Sequence, residues 1–301
     1  MSVIDFTILP RKNKMYAGAN GGKISVIYEG EQYMLKFPPQ SVRNRDMSYS
    51  NSCFSEYLGC QIYACIGIPV QKTLLGIYTV KDVEKIVVAC GDFTEPGITL
   101  QDFASLKNQM IDSERNGYGT ELSDILLTFE EQTAIDQKVL TERFWDMFIV
   151  DALIGNWDRH NGNWGFLYNA HTDQMELAPV FDCGSSLYPQ ADEKIMETVL
   201  TDEKELNFRI FEIPTSAIMV NGKKIKYFDF ISSLQNEDCN RALKRILPRI
   251  DMAKIYAVID DTPFISDLQK KFYSKMLEKR KEKILDFSFA ILEKADTRQN
   301  N

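Results

Sequence analysis

Between Leu140 and Asp182 the chain packs an amphipathic helix, a short polar loop and two strands into about forty residues, and that order restricts the folds open to it. Leu140, Phe144, Met147, Phe148 and Asp151 fall on adjoining helical faces, and Gly155 supplies the stop. The loop then reads Gly155-Asn-Trp-Asp-Arg-His-Asn-Gly-Asn-Trp-Gly165. Strands are expected over 164–168 and 176–181, joined by a hairpin. Asp182 follows in Pro179-Val-Phe-Asp-Cys-Gly184, nineteen residues after Asn163.

Asp and Asn are common in loops for turn chemistry alone. Here the company points further: Arg159, His160, Asn161, Asn163 and two tryptophans crowd one short polar loop, which holds one of only two histidines in the chain. An Asp, an Asn five places on, and a second Asp entering a small-residue turn carry the polar groups of ATP phosphoryl transfer. Asp158, on a loop held by a rigid helix, suits a base that orients and deprotonates a hydroxyl. Asn163 and Asp182 are hard oxygen donors for a magnesium shared with phosphates, with Asn161 as a rival ligand. Asp151 reads as a structural or capping group, and His171 as a hairpin-tip residue.

The first 93 residues or so read as strand-rich. Strands over 24–28 and 33–37 flank Glu29-Gly30-Glu31, a hairpin in which Gly30 takes positive φ. Phe54, Tyr57, Leu58, Ile62 and Cys65 predict a helix over 50–66, closed near Gly67. Strands around 74–78 and 86–90 complete a small sheet carrying one helix. Gly18-Ala-Asn-Gly-Gly-Lys23 precedes the first strand and reads either as a simple Gly-Asn turn or as a loop whose glycines let backbone N–H groups approach phosphates. It is not a Walker loop, because Ala17 and Ile24 stand where glycine and Ser or Thr are required. A glycine loop, a strand and a second strand bearing Lys36 follow the kinase order. Lys36 is expected to pair with Glu56 and anchor the nucleotide phosphates, although strict alternation also allows it to face solvent.

Beyond that region the pattern turns helical: helices over 99–114 and 122–131, and a long terminal helix from Thr262-Pro263, with Lys279–Lys283 as a solvated face and 297–301 frayed. The 301 residues, 44% hydrophobic and 26% charged, have ordinary globular composition. No apolar run reaches bilayer length, and the first residues lack a secretory signal, so a cytoplasmic site of synthesis is expected. A net charge of −8 argues against nucleic-acid binding. The six cysteines show no Cys-x-x-Cys spacing and read as free thiols.

Asp158-Arg-His-Asn-Gly-Asn163 with Phe181-Asp-Cys-Gly184 resembles two related kinase groups. One is the HipA-like serine/threonine kinases, the other the phosphatidylinositol 3/4-kinases. From Ala17-Gly-Ala-Asn-Gly to the C-terminal helices the chain is most similar to compact bacterial HipA-like kinases that act as effectors on host cells. The resemblance implies a two-lobed, protein-kinase-like α+β fold, with a small antiparallel-sheet lobe over 1–95 and a mainly helical lobe over 96–301. It implies Asp158 and His160 as catalytic residues, Asn163 and Asp182 as magnesium ligands, and Lys36 with Glu56 as the phosphate anchor. Gly18, Asn20, Gly21, Gly22 and Lys23 become the phosphate loop. Residues near 88–93, Val88 and Cys90 among them, become the hinge that meets adenine. ATP, Mg2+ and a protein substrate bearing Ser or Thr are the implied partners, with phosphoinositide as the alternative acceptor. Self-phosphorylation and export to a host cell are implied too. The glycine segment offers no hydroxyl, Ser25 lying just beyond it, and the chain lacks the N-terminal region of larger HipA toxins that would support an antitoxin partner.

Overall fold

Two left-handed residues, Glu29 at φ 50° and Gly30 at φ 82°, close a two-residue turn and set the register of the N-terminal sheet. A computed structural model describes residues 3–14, 16, 23–38, 50–110 and 114–299. The turn joins β3 (Lys23–Tyr28) to β4 (Glu31–Lys36) after two short strands, β1 (Ile4–Asp5) and β2 (Arg11–Lys12). With β5 (Thr73–Val80) and β6 (Val83–Gly91) they form a six-stranded sheet in the order β1-β5-β6-β4-β3-β2. The sheet is antiparallel except at one edge, where β1 runs parallel to β5, a departure from the all-antiparallel expectation.

Alternation gives this sheet two apolar faces. Val26, Tyr33, Leu35, Val87 and Ala89 pack with Phe6 and Tyr78 on one side. Leu75, Val88 and Cys90, with Met34, pack on the other against Cys53 and Phe54 of α1 (Ser52–Ile66). Helix α1 ends at Gly67, φ 76°, as its sequence predicts. Its far side belongs to the main core: Leu58, Cys60, Ile62 and Tyr63 are buried with Trp145, Phe148 and Leu153. One helix therefore ties the sheet to the helical C-terminal part.

That part begins with β7 (Ile98–Asp102), α2 (Phe103–Met110), α3 (Leu122–Glu131) and α4 (Gln137–Ile154). The helix expected over 99–114 is instead a strand followed by a shorter helix. β7 pairs with β8 (Gly165–Asn169), which pairs with β9 (Gln174–Leu177), and this long-range pairing outweighs local helical spacing. The expected strand 176–181 likewise stops at Leu177, leaving an isolated bridge from Val180 to Val70. Helix α4 starts on the Asp136 side chain, which accepts from the Val139 N–H at 3.0 Å, and stops at Gly155, φ 64°.

The remainder comprises α5 (Glu193–Thr201), α6 (Glu203–Phe211), a hairpin of β10 (Met219–Val220) and β11 (Lys223–Lys224), α7 (Tyr227–Ser232), α8 (Glu237–Ile246), α9 (Met252–Asp261), α10 (Asp267–Arg280) and α11 (Phe287–Gln299), the last two joined by a π-helical turn. The terminal helix does not start at Thr262-Pro263; Thr262 closes α9, and Ser266 with Gln269 forms a capping box that opens α10. Residues 297–299 remain helical in α11. The Lys279–Lys283 run is not a simple solvated face either. Arg280 is 1% exposed and donates to the carbonyls of Ala152 (2.8 Å) and Arg209 (3.1 Å), so it pins α10 against α4 and α6. All six cysteines are free. No helix is long and apolar enough to cross a membrane among the described residues.

Replacing Arg280 by leucine removes the guanidinium donor from the Ala152 carbonyl and leaves the Arg209 carbonyl only the Tyr188 hydroxyl. The expected loss is about 2–4 kcal/mol, from the lost charge-assisted hydrogen bonds and the carbonyl left unpaired. A lowered thermal-unfolding midpoint would register it, and a midpoint within 1 °C of the parent would contradict this role, a shift below the ~2–4 °C expected for ~1 kcal/mol in a chain of this size.

Candidate active site

Lys36, the last residue of β4, resolves the ambiguity left by alternation. It lies on the α1 face of the sheet, with Nζ 2.9 Å from Glu56 Oε2 and 2.9 Å from Asp182 Oδ1. Burial alone would push its ammonium pKa down, but the two carboxylates hold it well above the ordinary value. Asp182 is correspondingly lowered, chiefly by Lys36. Glu56, 1% exposed, is also held at its other oxygen: Oε1 accepts from the Cys183 N–H at 3.2 Å. An ammonium carries three protons, so two such bonds leave Lys36 one donor for a third acceptor.

Asp182 sits at φ 58°, in a region that ordinary side chains seldom occupy. Its side chain keeps 42% of its surface open. The loop 155–163 lies opposite, between α4 and β8, and its polar groups are held by named partners. Asn156 Oδ1 accepts from the Asp158 N–H at 3.1 Å, and Asn163 Nδ2 donates to the Asp158 carbonyl at 2.8 Å. The Asp158 carboxylate remains 49% exposed. Burial raises its pKa, His160 opposes that shift, and the negative charge of Asp182 adds to it. His160 Nδ1 accepts from the Gly162 N–H at 3.0 Å, which leaves the ring proton on Nε2, 3.9 Å from Asp158 Oδ1.

Arg159, given no separate role by the sequence, organises the whole loop. Buried, it donates from Nε to Asp151 Oδ2 at 3.0 Å and from Nη1 to the Asn163 carbonyl at 2.8 Å, and also to the Phe181 carbonyl. One guanidinium thus fixes Asn163 relative to the residue before Asp182. Asp151 is held in turn by the Tyr63 hydroxyl of α1 at 2.9 Å and by Asn156 Nδ2 at 3.1 Å. Its structural role agrees with the sequence reading, but no local pattern connects it with a residue eight places away.

Asn161 turns away from this group: Nδ2 donates to the carbonyls of Gly117 and Gly119, both at 2.8 Å, so it supports the loop from behind. Lys23 pairs in register with Lys36 across β3 and β4; burial and then the neighbouring ammonium lower its pKa. Gly18, Asn20, Gly21 and Gly22 lie outside the described residues. Val88 and Cys90 are not in a connecting segment. They lie inside β6, between β4 and β5, with buried side chains. The connection begins one residue after Gly91, at Asp92, whose carboxylate accepts from Lys14 (2.6 Å), Tyr16 (2.8 Å) and Gln32 (3.1 Å). Phe93 follows, its ring 5.9 Å from that of Phe181.

The donor set suits a hard dication shared with phosphate. Asn163 spends its N–H on Asp158 and keeps its amide oxygen, while Asp182 engages Lys36 through Oδ1 and keeps Oδ2. Among the described residues no group of three or more His, Cys, Asp and Glu could hold a metal, so an ion bound by Asn163 and Asp182 would need further ligands from phosphate and water. A lysine–glutamate pair under a curled sheet, bonded to a second Asp and set beside an Asp–Asn loop, is the polar arrangement expected of a kinase-like fold.

Comparisons with known proteins narrow that class. The model of the HipA-like C-terminal domain matches residues 14–254. Serine/threonine-protein kinase CtkA of Helicobacter pylori is 51% identical over 290 residues, 95% of this chain and 87% of that protein. The crystal structure of the H. pylori proinflammatory kinase CtkA matches with a TM-score of 0.92 and 49% identity, covering 98% of this chain and 99% of that one. HipA of Shewanella oneidensis MR-1, solved with HipB and operator DNA, matches at TM-score 0.54 and 14% identity over 93% of this chain and 68% of that one, a likeness of fold alone. The chain belongs to the HipA-like kinase family.

Arg159→Lys keeps the charge but cannot reach Asp151, Asn163 and Phe181 together. A misplacement of about 1 Å costs on the order of 10² in rate. Steady-state assays are therefore expected to show kcat reduced by roughly that factor; a variant with parental kcat would show that the guanidinium does not position the loop.

Proposed function

We propose that this chain is a serine/threonine protein kinase that transfers the γ-phosphate of ATP to a hydroxyl of a protein, with magnesium as the metal. Residues 1–95 and 96–301 act as the two lobes, with ATP in the cleft between them. The observation that carries the reading is the convergence of Lys36, Glu56 and Asp182 opposite Asp158 and Asn163, residues drawn from separate elements and loops. The acceptor class follows the relative at 51% identity, which is named a serine/threonine-protein kinase; the phosphoinositide alternative is not favoured.

The Lys36 ammonium, oriented by Glu56, offers its remaining proton to the nucleotide phosphates. Asn163 and Asp182 would hold the metal, which supplies charge neutralisation at the phosphate oxygens when bound. Asp158 accepts the hydrogen bond of the incoming hydroxyl and takes its proton as the new O–P bond forms and the bond to the ADP oxygen breaks. His160 offers its Nε2 proton on the Asp158 side, and Arg159 keeps the loop in register. Catalysis here is mainly positioning and electrostatics. Self-phosphorylation at Ser25 does not fit this arrangement. Its side chain is buried in β3 and faces the Tyr16 hydroxyl at 3.3 Å.

Two outcomes test the reading. With magnesium and labelled ATP, Asp158→Asn is expected to lower transfer to a mixed protein substrate by about 10²–10⁴, and equal transfer to phosphoinositide vesicles would reopen the lipid alternative. The pH profile gives an independent check. Because burial raises the Asp158 pKa, the basic form is lost on acidification at a pH above the ordinary carboxylate range of about 3.9. The acid limb of kcat/KM should therefore lie above that range and disappear in Asp158→Asn; a limb unchanged in the variant would assign the base elsewhere.

A further inference from the structure

The β10–β11 hairpin lies beside the 155–163 loop and is tied to it. Asn161 of that loop donates to the Gly119 carbonyl, and the next residue, Thr120, accepts the Met219 N–H at 2.8 Å and donates from Oγ1 to the Ala217 carbonyl at 2.7 Å. Met219 pairs across the hairpin with Lys224. The turn residues Asn221 and Gly222 both have positive φ, and the Glu121 carboxylate accepts their N–H groups at 2.6 and 3.0 Å. On the other flank, the Tyr227 hydroxyl donates to the Asn156 carbonyl at 2.5 Å, two residues before Asp158. Lys224 is thus held beside the loop from both directions.

The charges on this rim are unequal in their freedom. Glu121 is engaged by the turn. Asp102 accepts from the N–H and hydroxyl of Ser105 and from the Tyr118 hydroxyl. Asp124 lies 3.5 Å from Lys107, and Lys226 is paired with Glu212 at 2.6 Å. Lys224 is exposed, forms no ion pair among the described residues, and exerts its field on Asp158. A cation carried on a strand beside the loop of the base, in a chain of net charge −8, biases what approaches.

We propose that Lys224 is a specificity-determining residue that favours acceptor segments carrying an acidic side chain within a few residues of the phosphorylated hydroxyl. The proposal rests on the protein-kinase reading and names the substrate class at that same site. Lys224 contacts the acceptor segment rather than the reacting atoms. The tied hairpin limits the region its ammonium can reach to the neighbourhood of the 155–163 loop.

A serine-centred peptide library with Glu or Lys at each flanking position, assayed with the full chain, magnesium and ATP, tests this. The wild-type protein should favour at least one Glu-containing position. Lys224→Glu should reduce the Glu-to-Lys ratio of kcat/KM there by about tenfold, the effect of reversing one partly exposed charge. Lys224→Arg should restore the ratio, and about 0.5 M salt should bring it towards one. A ratio unaffected by Lys224→Glu, a wild-type preference for Lys, or a library left wholly unphosphorylated would overturn the proposal. Label transfer to a mixed protein substrate separates these results from failure of the kinase reading, which predicts such transfer whatever the flanking charges.

Discussion

One ammonium between two carboxylates holds this structure's chemistry together. Lys36 comes from a sheet, Glu56 from the helix beneath it, and Asp182 from a loop 146 residues further along the chain. None of the three would be comfortable alone. Glu56 is almost wholly buried, and a buried carboxylate without a cation is costly. The arrangement therefore selects its own geometry, because the sheet, α1 and the 181–184 segment satisfy their charges only in this relative placement.

The support behind this ion group is polar as well. Arg159 joins the Asp158 loop to the Asp182 segment, and Asp151 joins Arg159 to Tyr63 of α1. Both networks thus end on α1, one through Glu56 and one through Tyr63. A displacement of that helix would disturb the lysine pair and the Asp158 loop together.

Much of this was legible in the sequence where local signals act alone. Gly30, Gly67 and Gly155 mark three terminations that the structure reproduces at positive φ, and the polar loop read from the sequence is joined through Arg159 to the segment of Asp182. Failures occurred where distant pairing or a competing local signal decided. Residues 98–102 are a strand because β8 is available to pair with them, although their spacing with residues 103–110 looks helical. Thr262-Pro263 resembled a helix start, but the Ser266–Gln269 capping box three residues beyond Pro263 is the stronger signal. Arg280 sat unnoticed in a run of charge because nothing local shows that carbonyls of α4 and α6 converge on it. The side to which Lys36 points needed the structure, since alternation is compatible with both faces.

The most direct test of the central ion group is a double-mutant cycle on Lys36 and Asp182, read as ATP affinity and as phosphate transfer. Lys36→Met and Asp182→Asn are each expected to weaken binding of magnesium-ATP. Because the two groups share one interaction, the double variant should lose less than the sum, with a coupling of at least about 1 kcal/mol. Additivity within about 0.3 kcal/mol would contradict the account, since it would mean that the lysine and the aspartate act on the nucleotide independently.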